Sequence, residues 1–242
     1  MRIILLGAPG SGKGTQAKKL MDDFGLPQIS TGNLLRKAIA EGTEIGKKAK
    51  AIMAAGDLVS DEIVLDLIRF SLDSPSSQSG FILDGYPRNI NQAESLDELL
   101  SSMNQPLDHA LLINVDSDTL TKRLSGRRMC SLTGKVLNIY YSQQSEIDEC
   151  LNAGGELLQR SDDNLESITN RINVYREQTE PLLEYYKSRG LLITADGNGE
   201  INQVYKHLSL IHISEPTRRY AIWDGGLGLK KKRGGGGGGG GG

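Results

Sequence analysis

Five short apolar runs punctuate the chain: Arg2 to Leu6, Pro27 to Ile29, Gly80 to Leu83, Ala110 to Val115 and Leu191 to Thr194. None alternates cleanly between apolar and polar, which is the pattern of strands buried on both faces. The segments between them carry apolar residues at helical spacing, so the order is βαβ. This predicts an α/β fold with a parallel five-stranded sheet and helices on both faces. The clearest helix spans about Asp163 to Lys187, where Leu165, Ile168, Ile172, Tyr175, Leu182 and Tyr186 mostly recur every three or four residues. Asp162 is placed to cap it and Pro181 to bend it. Glu200 to His207 begins a last core helix. Two stretches do not belong to that layered core. Thr31 to Val59 has a helical pattern rich in Ala, Gly and Lys, and Gly126 to Asp163 mixes Gly, Tyr, Cys and polar residues as a small β-type insertion would.

The first strand runs into Gly7-Ala-Pro-Gly-Ser-Gly-Lys-Gly-Thr15. Glycines let the main chain curl around an anion, the following helix points backbone N–H groups at it, and Lys13 adds a mobile ammonium. A polyphosphate ligand follows. The usual pattern has Ser or Thr after the lysine to ligate magnesium, whereas here Gly14 fills that slot. Magnesium must then find oxygen elsewhere or keep mostly water. Ligands of parallel sheets bind beyond the carboxyl ends of the strands, where the glycine loop and Asp84 both fall.

Composition narrows the classes. The chain has 242 residues, 38% of them hydrophobic, and no run of the eighteen or so apolar residues that a membrane span needs. Cys130 and Cys150 are too few for a disulfide framework, and the default expectation is a reduced cytoplasmic enzyme with free thiols. The part before Leu208 carries 22 basic and 28 acidic residues, which argues against a nucleic-acid binder.

Four further constellations carry chemistry. Ser30-Thr31-Gly32-Asn33-Leu34-Leu35-Arg36 reads as a strand end opening into a helix, with hydroxyls at the cap. Asp84-Gly85-Tyr86-Pro87-Arg88, with Gln92 four residues on, combines a carboxylate suited to hydrated magnesium with an arginine suited to phosphate, and Arg88 and Gln92 share a face if a helix starts here. Arg123 with Gly126-Arg127-Arg128, and Arg160-Ser161-Asp162-Asp163 with Arg171, complete the set. Together these guanidinium groups are enough to surround several phosphates. Phosphoryl transfer needs chiefly positioning and charge neutralisation, so the lack of a nucleophilic triad is expected.

These motifs, in this order and spacing across Met1 to about His207, resemble adenylate kinases of the nucleoside monophosphate kinase family, long-lid type. The resemblance implies a P-loop NTPase-like core at 1–29, 60–125 and 164–207, a helical AMP-binding arm at 30–59 and a lid at 126–163. It implies reversible phosphoryl transfer from Mg-ATP to AMP, giving two ADP, by a monomer that binds neither nucleic acid nor membrane. By position, Gly10, Ser11, Gly12, Lys13, Gly14 and Thr15 bind the ATP phosphates, and Arg123, Arg127, Val136, Leu137 and the Gly199 backbone help hold ATP. Thr31, Arg36, Asp57, Leu58, Val59, Gly85, Tyr86, Pro87, Arg88 and Gln92 line the AMP site. Lys13, Arg88, Arg127, Arg160 and Arg171 are the catalytic set, Arg160 and Arg171 also bridging the substrate phosphates, and Asp84 positions hydrated magnesium. Asn33 stands where the family often has Asp. Zinc-bearing lids have two Cys-x-x-Cys-like pairs, but here the matching positions read Cys130…Thr133 and Cys150…Ala153. Two thiolates cannot complete a tetrahedral site, so zinc is not expected and the two cysteines should simply face each other.

The segment 208–242 breaks the composition, with six basic and two acidic residues and twelve of the chain's thirty glycines. Leu208 to Arg218 resembles the in-frame translation of a transposase-type sequencing adapter, and Ile222 to Leu229 the distal primer sequence. Lysines then follow as if from poly-A and glycines as if from empty signal. The expectation is a non-native, disordered tail that replaces the natural end after about His207. Deleting Ser214 to Gly242 should therefore leave activity and thermal midpoint nearly unchanged. Unfolding or loss of turnover in that deletion would contradict this origin.

Overall fold

A computed structural model describes residues 1–214. Its main sheet contains β1 (Arg2–Leu6), β2 (Gln28–Ser30), β3 (Phe81–Asp84), β4 (His109–Asn114) and β8 (Leu192–Asp196), all parallel in the order β2-β3-β1-β4-β8. Each strand falls within two residues of its apolar run. A second, antiparallel sheet holds β5 (Arg127–Cys130) between β6 (Val136–Asn138) and β7 (Leu157–Leu158).

Alternation along the central strands feeds two cores. Ile4, Leu6, Phe81, Leu83, Ala110 and Leu112 face one side, against helices α4 (Asp61–Leu72), α5 (Ile90–Ser102) and α9 (Leu182–Ser188). Ile3, Leu5, Ile82, Leu111 and Ile113 face the other, against α1 (Lys13–Phe24) and α10 (Ile201–Ser214). Both faces are dry, which is why these strands read as continuous apolar runs. The segment 30–59 folds as two helices, α2 (Thr31–Ala40) and α3 (Glu44–Ala55). Helix α6 (Ser117–Ser125) leads into the small sheet, and α7 (Gln144–Asn152) packs on it.

The structure corrects several local expectations. The long helix at 163–187 is two: α8 (Leu165–Val174) passes through a π turn at Tyr175–Thr179, and Pro181 then precedes α9. Asn164, not Asp162, caps α8 by accepting from the Ser167 N–H. Ser30 makes no side-chain cap for α2, and the Thr31 hydroxyl donates to the Gly85 carbonyl instead of capping. Helix α10 runs on through Ser214 and buries Leu208 completely, so the boundary expected at 208 falls inside an element. The rest of the anticipated tail lies outside the described residues.

Cys130 and Cys150 do face each other, but as a disulfide rather than as free thiols. The physical reason is the small core of the 127–158 unit. Cys130, Leu137, Ile147 and Cys150, with Leu157 beside them, are its entire buried apolar content, and they hold the two Cα atoms 6.0 Å apart. A core this small gains from a covalent link. Replacing both cysteines by Ser should lower the stability of this unit by on the order of 3 kcal/mol. Hydrogen exchange should then quicken across 127–158 and leave the main sheet unaffected, whereas unchanged exchange there would contradict the structural role.

Candidate active site

The loop after β1 turns into α1 through Gly10 (φ 85°) and Gly12 (φ 94°), left-handed conformations that a side chain would resist. The first N–H groups of α1 open onto the space above the sheet. Lys13 lies back across the loop, donating to the Gly7 and Ala8 carbonyls at 2.7 and 3.0 Å. Ser11 is buried, and its Oγ has no partner among the described residues. Gly14 faces Asp84 at the end of β3, and a Cβ added at residue 14 would stand 3.5 Å from Asp84 Oδ2. That carboxylate accepts from Gln28 Nε2 at 3.0 Å, which fixes its direction.

A second cleft opens between α2, α3 and the turn after β3. Of the residues expected at the acceptor site, Thr31, Asp57, Leu58, Val59, Gly85, Arg88 and Gln92 line it. Gly85 adopts φ 77° and turns its carbonyl inward, where it accepts from Thr31 Oγ1 and Arg88 Nε, both at 2.8 Å. Tyr86 and Pro87, also expected there, are buried and do not line this cleft, and the Tyr86 hydroxyl donates to the Gln92 carbonyl. Arg36 stands on α2 and donates to Asn33 Oδ1 at 2.7 Å. Helix α5 starts only at Ile90, so Arg88 and Gln92 do not share a helical face. Instead Gln92 reaches back and accepts from the Arg88 backbone N–H at 2.8 Å.

The remaining arginines converge from other elements. Arg127, first residue of β5, holds Asp163 through two nitrogens, and Arg171 on α8 donates to Asp162 Oδ2 at 3.0 Å and Asp163 Oδ1 at 3.2 Å. Arg123 donates to the Gly197 and Ser11 carbonyls at 2.9 and 3.4 Å, tying α6 to the glycine loop. Val136 and Leu137 stand on β6, the Leu137 side chain turned into the small core, so only its backbone remains for a ligand. Gly199 lies just before α10. Arg128 is outside the cluster, bonded to the Ser125 and Arg127 carbonyls.

Electrostatics tie the set together. Burial lowers the Lys13 ammonium to about 8; Asp84 opposes this, while Arg88, Arg171 and Arg127 push further down. Burial likewise brings Arg88 and Arg160 to about 10, with neighbouring arginines adding to it, and lowers Arg36 and Arg171. Cations so placed await anions. The sequence reading assigned no role to three residues around the site. Asp163 has a fully buried carboxylate between two arginines. Asp61 accepts from Gln92 Nε2. The Tyr141 ring lies 5.7 Å from the Arg123 guanidinium. The adjacent Asp162-Asp163 pair beside an arginine was visible, but nothing in the spacing announced Asp61. With both sulfurs joined, neither cysteine is a thiolate ligand, and the described residues contain no cluster of three or more His, Cys, Asp or Glu able to hold a metal.

Comparison with known proteins places this geometry. The family model described as Adenylate kinase matches residues 5–191. An adenylate kinase of Thermodesulfovibrio yellowstonii is 51% identical over 87% of this chain and 98% of its own length. Those of Nitrosococcus oceani and Archaeoglobus fulgidus are 49% and 45% identical, over 87% of this chain and 98% and 97% of theirs.

The lowered Lys13 generates a pH dependence. A bound polyphosphate favours the ammonium, so binding is level below about 8 and weakens as pH rises above it. The profile of kcat/KM for ATP should fall above pH 8 with a slope approaching one. A profile level to about pH 10, near the ordinary lysine value, would contradict the desolvated setting.

Proposed function

The chain belongs to the adenylate kinase family, an ATP:AMP phosphotransferase that yields two ADP, and we propose that the converging cations are the seat of its reaction. One observation carries this: Lys13 lies within electrostatic reach of Asp84, Arg88, Arg127 and Arg171, groups from three other parts of the chain. The glycine loop, Gly10 to Thr15, then takes the ATP phosphates, with Arg123, Arg127, Val136, Leu137 and Gly199 on the donor side. The cleft beside Gly85 takes AMP, with Arg88 on its phosphate and Gln92 on its base. Arg160 and Arg171 reach the phosphates between the two. The helix pair at 30–59 acts as the AMP arm and the unit at 126–163 as the lid, whose closure excludes water as a competing acceptor.

On this reading catalysis is neutralisation and alignment. Lys13 leaves the loop carbonyls for the β/γ oxygens, Arg88 holds the acceptor phosphate in line, and Arg127, Arg160 and Arg171 stabilise charge spread over the transferred group. Release of Arg127 and Arg171 from Asp163 accompanies nucleotide binding. Asp84, at the end of β3 beside Gly14, is the carboxylate that would hold a hydrated magnesium ion through water. Bound with ATP, magnesium supplies neutralisation of the β and γ oxygens. We further propose that the chain works as a monomer.

Lys13→Met should lower kcat by about 100-fold or more, with a thermal midpoint near that of the parent. Near-normal turnover would remove Lys13 from the mechanism. Arg88→Ala should cost as much in kcat, whereas Gln92→Ala should raise KM for AMP by about tenfold and relax base choice. An unchanged base preference in Gln92→Ala would show that the acceptor assignment is wrong.

A further inference from the structure

Both polar atoms of the Gln92 side chain are engaged before any ligand arrives. Oε1 accepts from the Arg88 backbone N–H at 2.8 Å, and Nε2 donates to Asp61 Oδ1 at 2.6 Å. The residue is only 2% exposed, yet it borders the cleft. Asp61, first residue of α4, is not among the residues lining that cleft. Its carboxylate also accepts from Asn89 Nδ2, at 3.1 and 3.2 Å, while Asn89 Oδ1 caps α5 by accepting from the Gln92 N–H at 2.8 Å.

A carboxamide has two N–H donors and two oxygen lone pairs. With one of each used, Gln92 keeps one N–H and one lone pair. Turning the amide over would set its oxygen against the Asp61 carboxylate and its NH2 against the Arg88 N–H, two repulsions in place of two bonds. Only one orientation is therefore available, and orientation decides which base edge fits. A 6-aminopurine offers a donor at its amino group and an acceptor at the neighbouring ring nitrogen. A 6-oxopurine offers the same pair in reversed positions and needs the turned amide.

We propose that Asp61 is a positioning residue for acceptor choice: by fixing the Gln92 amide, it selects 6-amino over 6-oxo purine monophosphates. The inference rests on the assignment of Gln92 to the acceptor base. Steady-state rates with AMP and with inosine monophosphate, at saturating ATP, test it. Asp61→Asn, whose own amide can face either way, should lower the AMP-to-IMP ratio of kcat/KM by about tenfold, with kcat for AMP and KM for ATP near the parent's. Asp61→Ser, which keeps a polar group suited to a helix start, should lower the ratio similarly. A folded variant at Asp61 that keeps the parent ratio, when Gln92→Ala loses it, overturns the role of Asp61 alone. A parent ratio that persists in Gln92→Ala overturns the acceptor assignment itself. Where neither Asp61 variant folds, side-chain amide NMR of the parent decides. A single exchange-protected Gln92 NH2 pair supports the fixed orientation, and a rapidly exchanging, averaged pair overturns it.

Discussion

Concentrating cations where water is scarce is the constraint on which this molecule depends. At an effective dielectric near 20, two unit charges about 4 Å apart interact by roughly 4 kcal/mol. Lys13, Arg36, Arg88, Arg160 and Arg171 are all shifted toward neutrality, first by burial and then by other charges of the same sign. Asp84, Asp162 and Asp163 offset part of that repulsion, the last with no exposed surface on its side chain. The free protein thus holds Arg127 and Arg171 on internal carboxylates, which share the bidentate geometry of a phosphate. On the proposed reading, nucleotide phosphates supply the missing negative charge, so the same repulsion that opposes the free cluster favours their binding.

Holding such a cluster requires anchors that do not yield. The two-faced core supplies them: β1 delivers the glycine loop, β3 ends at Asp84, and both strands are fully or almost fully buried up to those points. The arginines proposed to leave Asp163 on binding come instead from the periphery. Arg127 starts a strand of a three-stranded sheet whose core is a handful of side chains and a disulfide, and Arg171 sits on a helix followed by a π turn. On the proposed reading, the fixed loop and the arginines that change partners are placed on elements of matching stability.

Much of this was legible in the sequence because backbone and charge leave local marks. The five apolar runs located the sheet to within two residues, and glycine, lysine and arginine spacing picked out groups that the fold brings near Lys13. What stayed hidden depends on tertiary placement. Asp162 looks like a helix cap next to an apolar periodic run, yet it bonds Arg171 while Asn164 caps. Thr31 and Ser30 look like cap hydroxyls, but the Gly85 carbonyl claims Thr31. Tyr86 shares a motif with Arg88 but packs into the core, and Asp61 meets Gln92 from 31 positions away. Cys130 and Cys150 could be placed opposite each other, but not joined, because pairing depends on a core too small to be seen in the spacing.

Site-resolved NMR titration of the Lys13 ammonium, in the free protein and with ADP bound, probes the crowded-cation account at its centre. The account predicts a value near 8 when free, set by burial and neighbouring guanidinium groups, and a rise toward or beyond the ordinary lysine value of about 10.4 when phosphates fill the loop. An ordinary value in the free protein, unmoved by nucleotide, would contradict it.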